Sequence, residues 1–155
     1  MGAVDPAALP GILRAFLAEV PTLSLATVDE AGRPHAANVN FVADADLNLH
    51  FLSRADSAHA RHVAARPDAA VTAYAPFRTA EEIRGVQMHG VCARVGDAAF
   101  EGLWRTYVAK HAIAAQFEAM AREQESWFRF TPRWVRWIDN GVRFGFKLAS
   151  DWPVP

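Results

Sequence analysis

The sequence predicts an α+β protein built on a small antiparallel β-barrel. Three observations carry that expectation. Six or seven runs alternate apolar and polar residues with the period of two that half-buried strands require, and turn residues separate them. The first three of these runs follow one another through short turns, as in an antiparallel meander. The longest run carries two glycines, Gly85 and Gly90, of the kind that mark bulges or bends where a sheet curls towards closure.

The chain opens with Leu9, Ile12, Leu13, Phe16, Leu17 and Val20 at helical spacing. Asp5 is the expected N-cap, Pro6 the first helical position and Pro21 the stop. Thr22 to Thr27 then alternates as a strand, Asp29 to Gly32 has turn chemistry, and Pro34 to Ala43 reads as the returning strand. After the polar turn Asp44-Ala45-Asp46, a third strand is expected from Leu47 to Leu52. The period turns helical between Asp56 and Arg66, with Asp56 or Ser57 as cap and Pro67 closing the segment. Ala69 to Tyr74 and Ile83 to Val95 return to strand character. Asp97 to Arg122 is Ala-rich and helical, with a break expected near His111. Trp127 to Ile138 is a strand rich in aromatics, Asn140-Gly141 signals a hairpin, and Val142 to Leu148 is expected as its second arm.

With 155 residues, the chain suits a single domain over 1–155 with one core. Its 52% hydrophobic and 21% charged residues are those of a packed globule. A formal net charge of -1 provides no global field towards nucleic acid or an anionic membrane, so neither is an expected partner. No apolar run approaches the roughly 18 residues of a membrane span, and the start lacks the pattern of a secretory signal. A soluble, cytoplasmic protein is expected. Cys92 lies in an apolar alternating run and reads as a small buried filler.

The chain contains no GxGxxG, P-loop, HExxH, CxxC or GxSxG pattern. His59 and His62 fall three apart on one helical face, but with no third partner at a clear spacing a metal site is not expected. Ser57, His59, Arg61 and His62 place hydroxyl, imidazole and guanidinium donors at a strand-to-helix junction. That set suits a phosphate, and it equally suits a solvated helix start. Gln87, beside Arg84 at the start of the long strand, would need a partner such as a heterocycle carbonyl if it faced a groove, and is otherwise surface. Five Trp and 10 Phe either fill a core or interface or wall a flat cofactor.

The order of these motifs resembles the pyridoxamine phosphate oxidase-like superfamily. The residues that carry the likeness are Thr22 to Thr27 with Asp29 to Gly32 and Arg33-Pro34-His35, then Phe51-Leu52-Ser53, Ser57 to His62, Pro67 and Ala70-Val71. Ile83 to Gly90, Ile138-Asp139-Asn140 and Phe144 to Lys147 resemble a small bacterial subgroup of it, the YhbP-like proteins. The resemblance covers nearly the whole chain. It implies an FMN-binding split β-barrel whose two cofactor sites lie at the interface of a homodimer. By position, His35, Ala36, Ala37 and Asn38 would run beside the flavin ring. Leu52 and Ser53 would contact the ring or ribityl chain, and Ser57, His59 and Arg61 would meet the phosphate. Arg84 and Gln87 would complete the site.

The chain departs from the oxidase itself in carrying His59 where a phosphate-binding Lys is expected. The C-terminal Trp and Arg pattern that binds vitamin B6 substrates is not evident, so B6 oxidation is disfavoured. The leading expectation is an FMN-dependent oxidoreductase or flavin reductase acting on a small-molecule redox substrate. A non-catalytic flavin- or haem-binding protein, a deazaflavin-dependent reductase, and a structural dimer with an empty site are the alternatives. For the tail after Ala149, covering a partner's site and hanging free both stay open.

Overall fold

Residues 4–154 are described by a computed structural model, so residues 1–3 and 155 of the expected domain lie outside it. Asp5 accepts a hydrogen bond from the Ala7 amide at 2.9 Å and starts a 3-10 turn, Pro6–Ala8, that runs into α1 (Leu9–Glu19). Leu9, Leu13, Phe16 and Leu17 form one buried stripe of α1, the apolar face that a helix of this spacing must cover. Pro21 ends the helix and also removes the amide that the Leu17 carbonyl would otherwise meet.

Seven strands follow: β1 (Thr22–Val28), β2 (Pro34–Ala43), β3 (Leu49–Arg54), β4 (Asp68–Tyr74), β5 (Arg84–Arg94), β6 (Glu125–Asp139) and β7 (Lys147–Asp151). The helices between them are α2 (Ala58–Ala65), α3 (Phe100–Lys110) and α4 (Glu118–Gln124). All pairings are antiparallel, in the order β3-β2-β1-β4-β5-β6-β7, and β3 also pairs β6. The first six strands therefore close into a barrel. One edge of β6 follows β5 from Arg94↔Phe128 to Arg84↔Asp139. Its other edge pairs β3 up to Phe130, then β7 from Trp134 onwards. The barrel splits where β6 changes partner.

Gly90 makes that change possible. The register of β5 on β6 slips between His89 and Gly90, so Arg133 bulges out opposite the glycine. A Cβ on Gly90 would lie 2.1 Å from the Thr131 carbonyl and 2.9 Å from the Phe130 ring. Gly85, by contrast, sits in regular register, so the second expected bulge is absent.

The main core joins the inner faces of the barrel to α1. Leu25, Phe41, Leu49, Phe51, Met88, Cys92, Phe130 and Val135 are all fully buried there. A second cluster lies outside the barrel, where α3 brings Trp104 and Tyr107 onto Val42 and Trp127, with Leu52 and Phe100 at its margin. The expected break near His111 is present: α3 stops, a 3-10 segment runs through Ala112–Phe117, and α4 follows. His111 Nε2 donates to the Phe41 carbonyl at 2.9 Å. Lys110 Nζ lies 3.8 Å above the Phe41 ring and donates to the Leu17 carbonyl at 2.8 Å, the acceptor that Pro21 leaves without an amide. Burial pulls this ammonium down to about 8.

Two other strand expectations need correction. The third strand starts at Leu49 because Asp44 Oδ1 accepts from the amides of Asp46 and Asn48, and this turn holds buried Leu47 at φ 64. The last strand is Lys147–Asp151 rather than Val142 to Leu148. Asn140 donates from its amide to Ile83 and from its side chain to Ala80, and it accepts from Gly145. These bonds tie the segment after β6 to the β4–β5 connection, so a two-residue hairpin does not form. The tail does not hang free: the Trp152 amide donates to Arg133 and its indole to Asp46. No helix among the described residues is long and apolar enough to cross a membrane.

Replacing Gly90 with Ala forces its Cβ into backbone, and overpacking of this kind costs about 1–3 kcal/mol or more. Gly102→Ala, on an α3 surface with open space around it, should instead add about 0.5 kcal/mol from helix propensity. Urea denaturation of both variants should move the midpoints in opposite directions.

Candidate functional site

The end of β3 feeds α2 through a turn that Ser57 closes. Its backbone is extended, with φ -66 and ψ 155, and its hydroxyl accepts from the Ala60 amide at 3.3 Å, as an N-cap does. Ala60 and Val63 face the core, which directs His59 and His62 to the mouth of the barrel. His62 Nδ1 lies 3.0 Å from Thr27 Oγ1 on β1. His59 Nε2 lies 2.6 Å from Ser53 Oγ on β3 and 3.2 Å from Ser57 Oγ, and the two hydroxyls are 3.1 Å apart. His35 reaches in from β2, its ring centroid 6.5 Å from that of His59 and 5.4 Å from that of His62.

Three strands and one helix thus bring three imidazoles and three hydroxyls together. Thr27 and Ser53 are buried, and Ser57 and the imidazoles are half-buried. Burial holds the His59 imidazole below its ordinary basicity, and neighbouring His35 and His62 push the same way. The guanidinium groups stay at the rim. Arg54 forms a two-pronged pair with Asp56, and exposed Arg61 donates to the Asp56 carbonyl. Among the described residues no group of three or more His, Cys, Asp or Glu is arranged to hold a metal ion. Cys92 is buried, and its thiol is pushed up to about 12, far from a thiolate nucleophile at neutral pH.

Adjacent residues of β2 face opposite sides. His35, Ala37 and Val39 are half-buried, while Ala36, Asn38 and Asn40 stand exposed on the outer face. Register places Asn38, Ser24, Thr72, Gln87 and Arg136 side by side across five strands. Ser24 donates to Asn38 Oδ1 at 2.6 Å, and Arg136 donates to Gln87 Oε1 at 3.4 Å. The neighbouring row runs Ala36, Ala26, Ala70, His89 and Trp134. Three small side chains there lead to a stacked pair, the His89 and Trp134 rings 4.7 Å apart, with Arg136 over the indole at 4.9 Å. A hollow of about 310 Å³ opens on this face beside Ser24, Asn38, Thr72 and Tyr74.

The expected site residues therefore separate into groups. His35, Ala37, Ser53, Ser57 and His59 belong to the barrel mouth, and Ala36, Asn38 and Gln87 to the outer face. Leu52 points away from Ser53 and packs beneath α3. Arg84 shares the inner-face parity of Val86 and Met88 and reaches Glu19 at 3.5 Å, so it does not stand with Gln87. Thr27, Ser24 and Thr72 escape sequence reasoning because cross-strand register alone brings them to these clusters.

A six-stranded antiparallel barrel, split where β6 changes partner and with a polar mouth at the start of α2, defines a split-barrel protein. The chain belongs to the pyridoxamine 5'-phosphate oxidase family, whose model matches residues 9–139. It is 36% identical over 104 residues to a pyridoxine/pyridoxamine 5'-phosphate oxidase of Ectopseudomonas mendocina (strain ymp), a match covering 67% of this chain and 46% of that protein. The chain thus spans less than half the length of this relative. Among solved structures, a haem-binding protein from Mycobacterium smegmatis superposes with a TM-score of 0.77 at 19% identity, covering 97% of this chain and 60% of that one. A protein related to general stress protein 26, of the pyridoxinephosphate oxidase family, from Clostridium acetobutylicum superposes with a TM-score of 0.68 at 14% identity, covering 96% and 97% of the two chains. At these identities the superpositions establish the fold.

Because the folded state holds His59 neutral, the unfolded chain binds more protons, and stability falls as pH is lowered from about 6.5 through the folded value. The histidine Cε1–H signals in an NMR titration should place His59 below 6.5, and His35→Ala should raise it. Replacement by Gln should remove this part of the pH dependence of unfolding.

Proposed function

We propose that this protein is an FMN-binding flavoprotein, an oxidoreductase or flavin reductase acting on a small redox molecule, and that it works as a homodimer. The observation that carries the reading is the barrel mouth, where Ser53, Ser57, His59 and His35 converge at the start of α2 in a chain of this family. Hydroxyls, imidazoles and the free amides of a helix start are donors, as a phosphate arm requires. The donor set therefore fits the cofactor's phosphate. Since His35 and Ala36 are neighbours on β2, a ligand crossing that strand end would meet the mouth with its phosphate and the outer face with its ring.

On the outer face, Asn38 and Gln87 supply amide groups for the edge of a heterocycle, and the small residues Ala26, Ala36 and Ala70 leave a flat floor. Arg136 donates to the Gln87 carbonyl, which leaves the Gln87 amide NH₂ to serve as the donor to a ligand. Bound FMN would supply the hydride and electron transfer itself. The chain's own task would be to anchor the phosphate, fix the ring's edge and keep water from its face. A second copy laid over the exposed outer face would provide that exclusion.

Haem is the second reading. The three imidazoles offer candidate axial ligands, and the haem-binding protein from Mycobacterium smegmatis has the same fold. A deazaflavin would share the phosphate arm and use the same mouth.

The absorption spectrum of the purified protein, taken again after FMN loading and gel filtration, tests these readings together. The expected result is a retained yellow chromophore in a fraction of twice the monomer mass. Asn38→Leu and Gln87→Leu should each weaken FMN and riboflavin alike by about tenfold, the loss of one buried hydrogen bond. Oxidation of NAD(P)H by the loaded protein separates an enzyme from a carrier. A Soret band after haemin addition, with no flavin retained, would sink the FMN reading.

A further inference from the structure

The barrel mouth differs from an ordinary phosphate site in the charge state of its donors. We propose that its imidazole cluster anchors a phosphate monoester by taking up a proton as the ligand binds, so that ambient pH sets how tightly the ligand is held. This inference rests on the phosphate-binding reading of the mouth and adds its regulation.

None of the groups that bond to His59 or stack with it carries a permanent charge. From β2 comes His35, from its own helix His62, and from β1 and β3 the hydroxyls of Thr27 and Ser53. Several fixed charges of the adjoining segments are paired with one another. Asp29 at the end of β1 pairs with Arg33, and Arg54 at the end of β3 pairs with Asp56. Exposed Arg61 and Arg66 of the α2 region keep their charge and are directed to the carbonyls of Asp56 and Glu30 at the rim. On β5, which also packs against α2, Cys92 is a buried neutral thiol and Arg94 pairs with Asp97. Glu125, opposite Arg54 on β6, is itself pushed towards the protonated form by burial. None of these carboxylates bonds to any of the three rings.

Without ligand, each protonated imidazole would stand in a partly buried site beside two others, which keeps His59 neutral. A phosphate dianion reverses the balance. An opposite charge within about 4–6 Å favours the imidazolium, and the Ser53 and Ser57 hydroxyls can turn from the ring nitrogen to the phosphate oxygens. His59 then rises from below its ordinary value to above it. Affinity is therefore fullest at pH values where the bound imidazole is protonated and falls as pH rises through its bound pKa. One coupled proton gives at most tenfold per pH unit. Loss of the second phosphate charge below about pH 6 opposes the gain at the acid end. The expected profile for a phosphate monoester is thus a maximum near pH 6 to 6.5, with a decline of about tenfold by pH 8. A lysine at the same place would stay charged across this range, so His59 is the residue that converts a fixed anchor into a pH-dependent one.

Isothermal titration of the full chain with FMN, riboflavin and phenyl phosphate, at pH 6.5 and 8.0 in buffers of different ionisation heat, tests this directly. Expected are net proton uptake with FMN and with phenyl phosphate, affinity for both lower at pH 8.0, and riboflavin binding that neither takes up protons nor changes with pH. His59→Lys should bind FMN equally at both pH values. In the unmutated protein, inorganic phosphate should raise the His59 Cε1–H titration midpoint, a readout that does not depend on any variant folding. FMN binding with no proton uptake and no pH dependence would overturn the proton-linked anchor while leaving the flavin reading intact. Proton uptake with phenyl phosphate but no FMN binding would keep the anchor and remove the flavin. If neither ligand binds at either pH, both fall.

Discussion

Backbone hydrogen bonding on β6 is the constraint on which the rest of the structure depends. A strand has two edges, and this one must serve β5, β3 and β7 along its length. It can do so only by shifting direction between Phe130 and Trp134, and that shift requires the close approach of Thr131 to Gly90. The slip in register re-aims the residues beyond it. Trp134 and Arg136 then lie on the outer face beside His89 and Gln87, while Val135 and Trp137 remain in the core. Barrel closure, the split and the outer-face row thus share one cause.

The same alternation explains how the chain builds two polar regions without polar core residues to spare. Successive residues of a strand face opposite sides, so β2 gives His35 to the mouth and Ala36 and Asn38 to the exterior. Polar side chains at the mouth satisfy one another through hydroxyl–imidazole contacts, which keeps a half-buried cluster from becoming a stability liability. Self-satisfaction of this kind is reversible. A ligand that offers better partners can take the hydroxyls over.

Much of this was legible in the sequence. The alternation of β1, β2 and β4, the Ser57 cap, the Pro21 stop and the break at His111 all follow from local chemistry, and the family resemblance held over residues 9–139. What was not legible depended on distant partners. Leu47 reads as a strand residue by pattern, but Asp44 gathers the neighbouring amides into a turn. Asn140-Gly141 reads as a hairpin, but the β4–β5 connection, brought alongside by the pairing of β5 with β6, claims Asn140. Arg84 and Gln87 look like one site in sequence, yet an odd spacing of three on a strand sends them to opposite faces. The outer-face row is invisible without register, because Ser24, Thr72 and Arg136 are unremarkable one at a time.

Splitting a barrel exposes strand backbone, and here the short last strand covers it. Beyond Phe130 the edge of β6 would otherwise present free amides and carbonyls, a template on which a strand from any other polypeptide could lie down. β7 fills that position with five residues, carries Lys147 and Asp151 at its ends, and is pinned by Trp152 to the Asp44–Asn48 turn. β7 is thereby a guard against fibre-like association: shortening the chain before Lys147 would strip Leu148, Trp152 and Val154 from the margin of the core and give the barrel an adhesive flank.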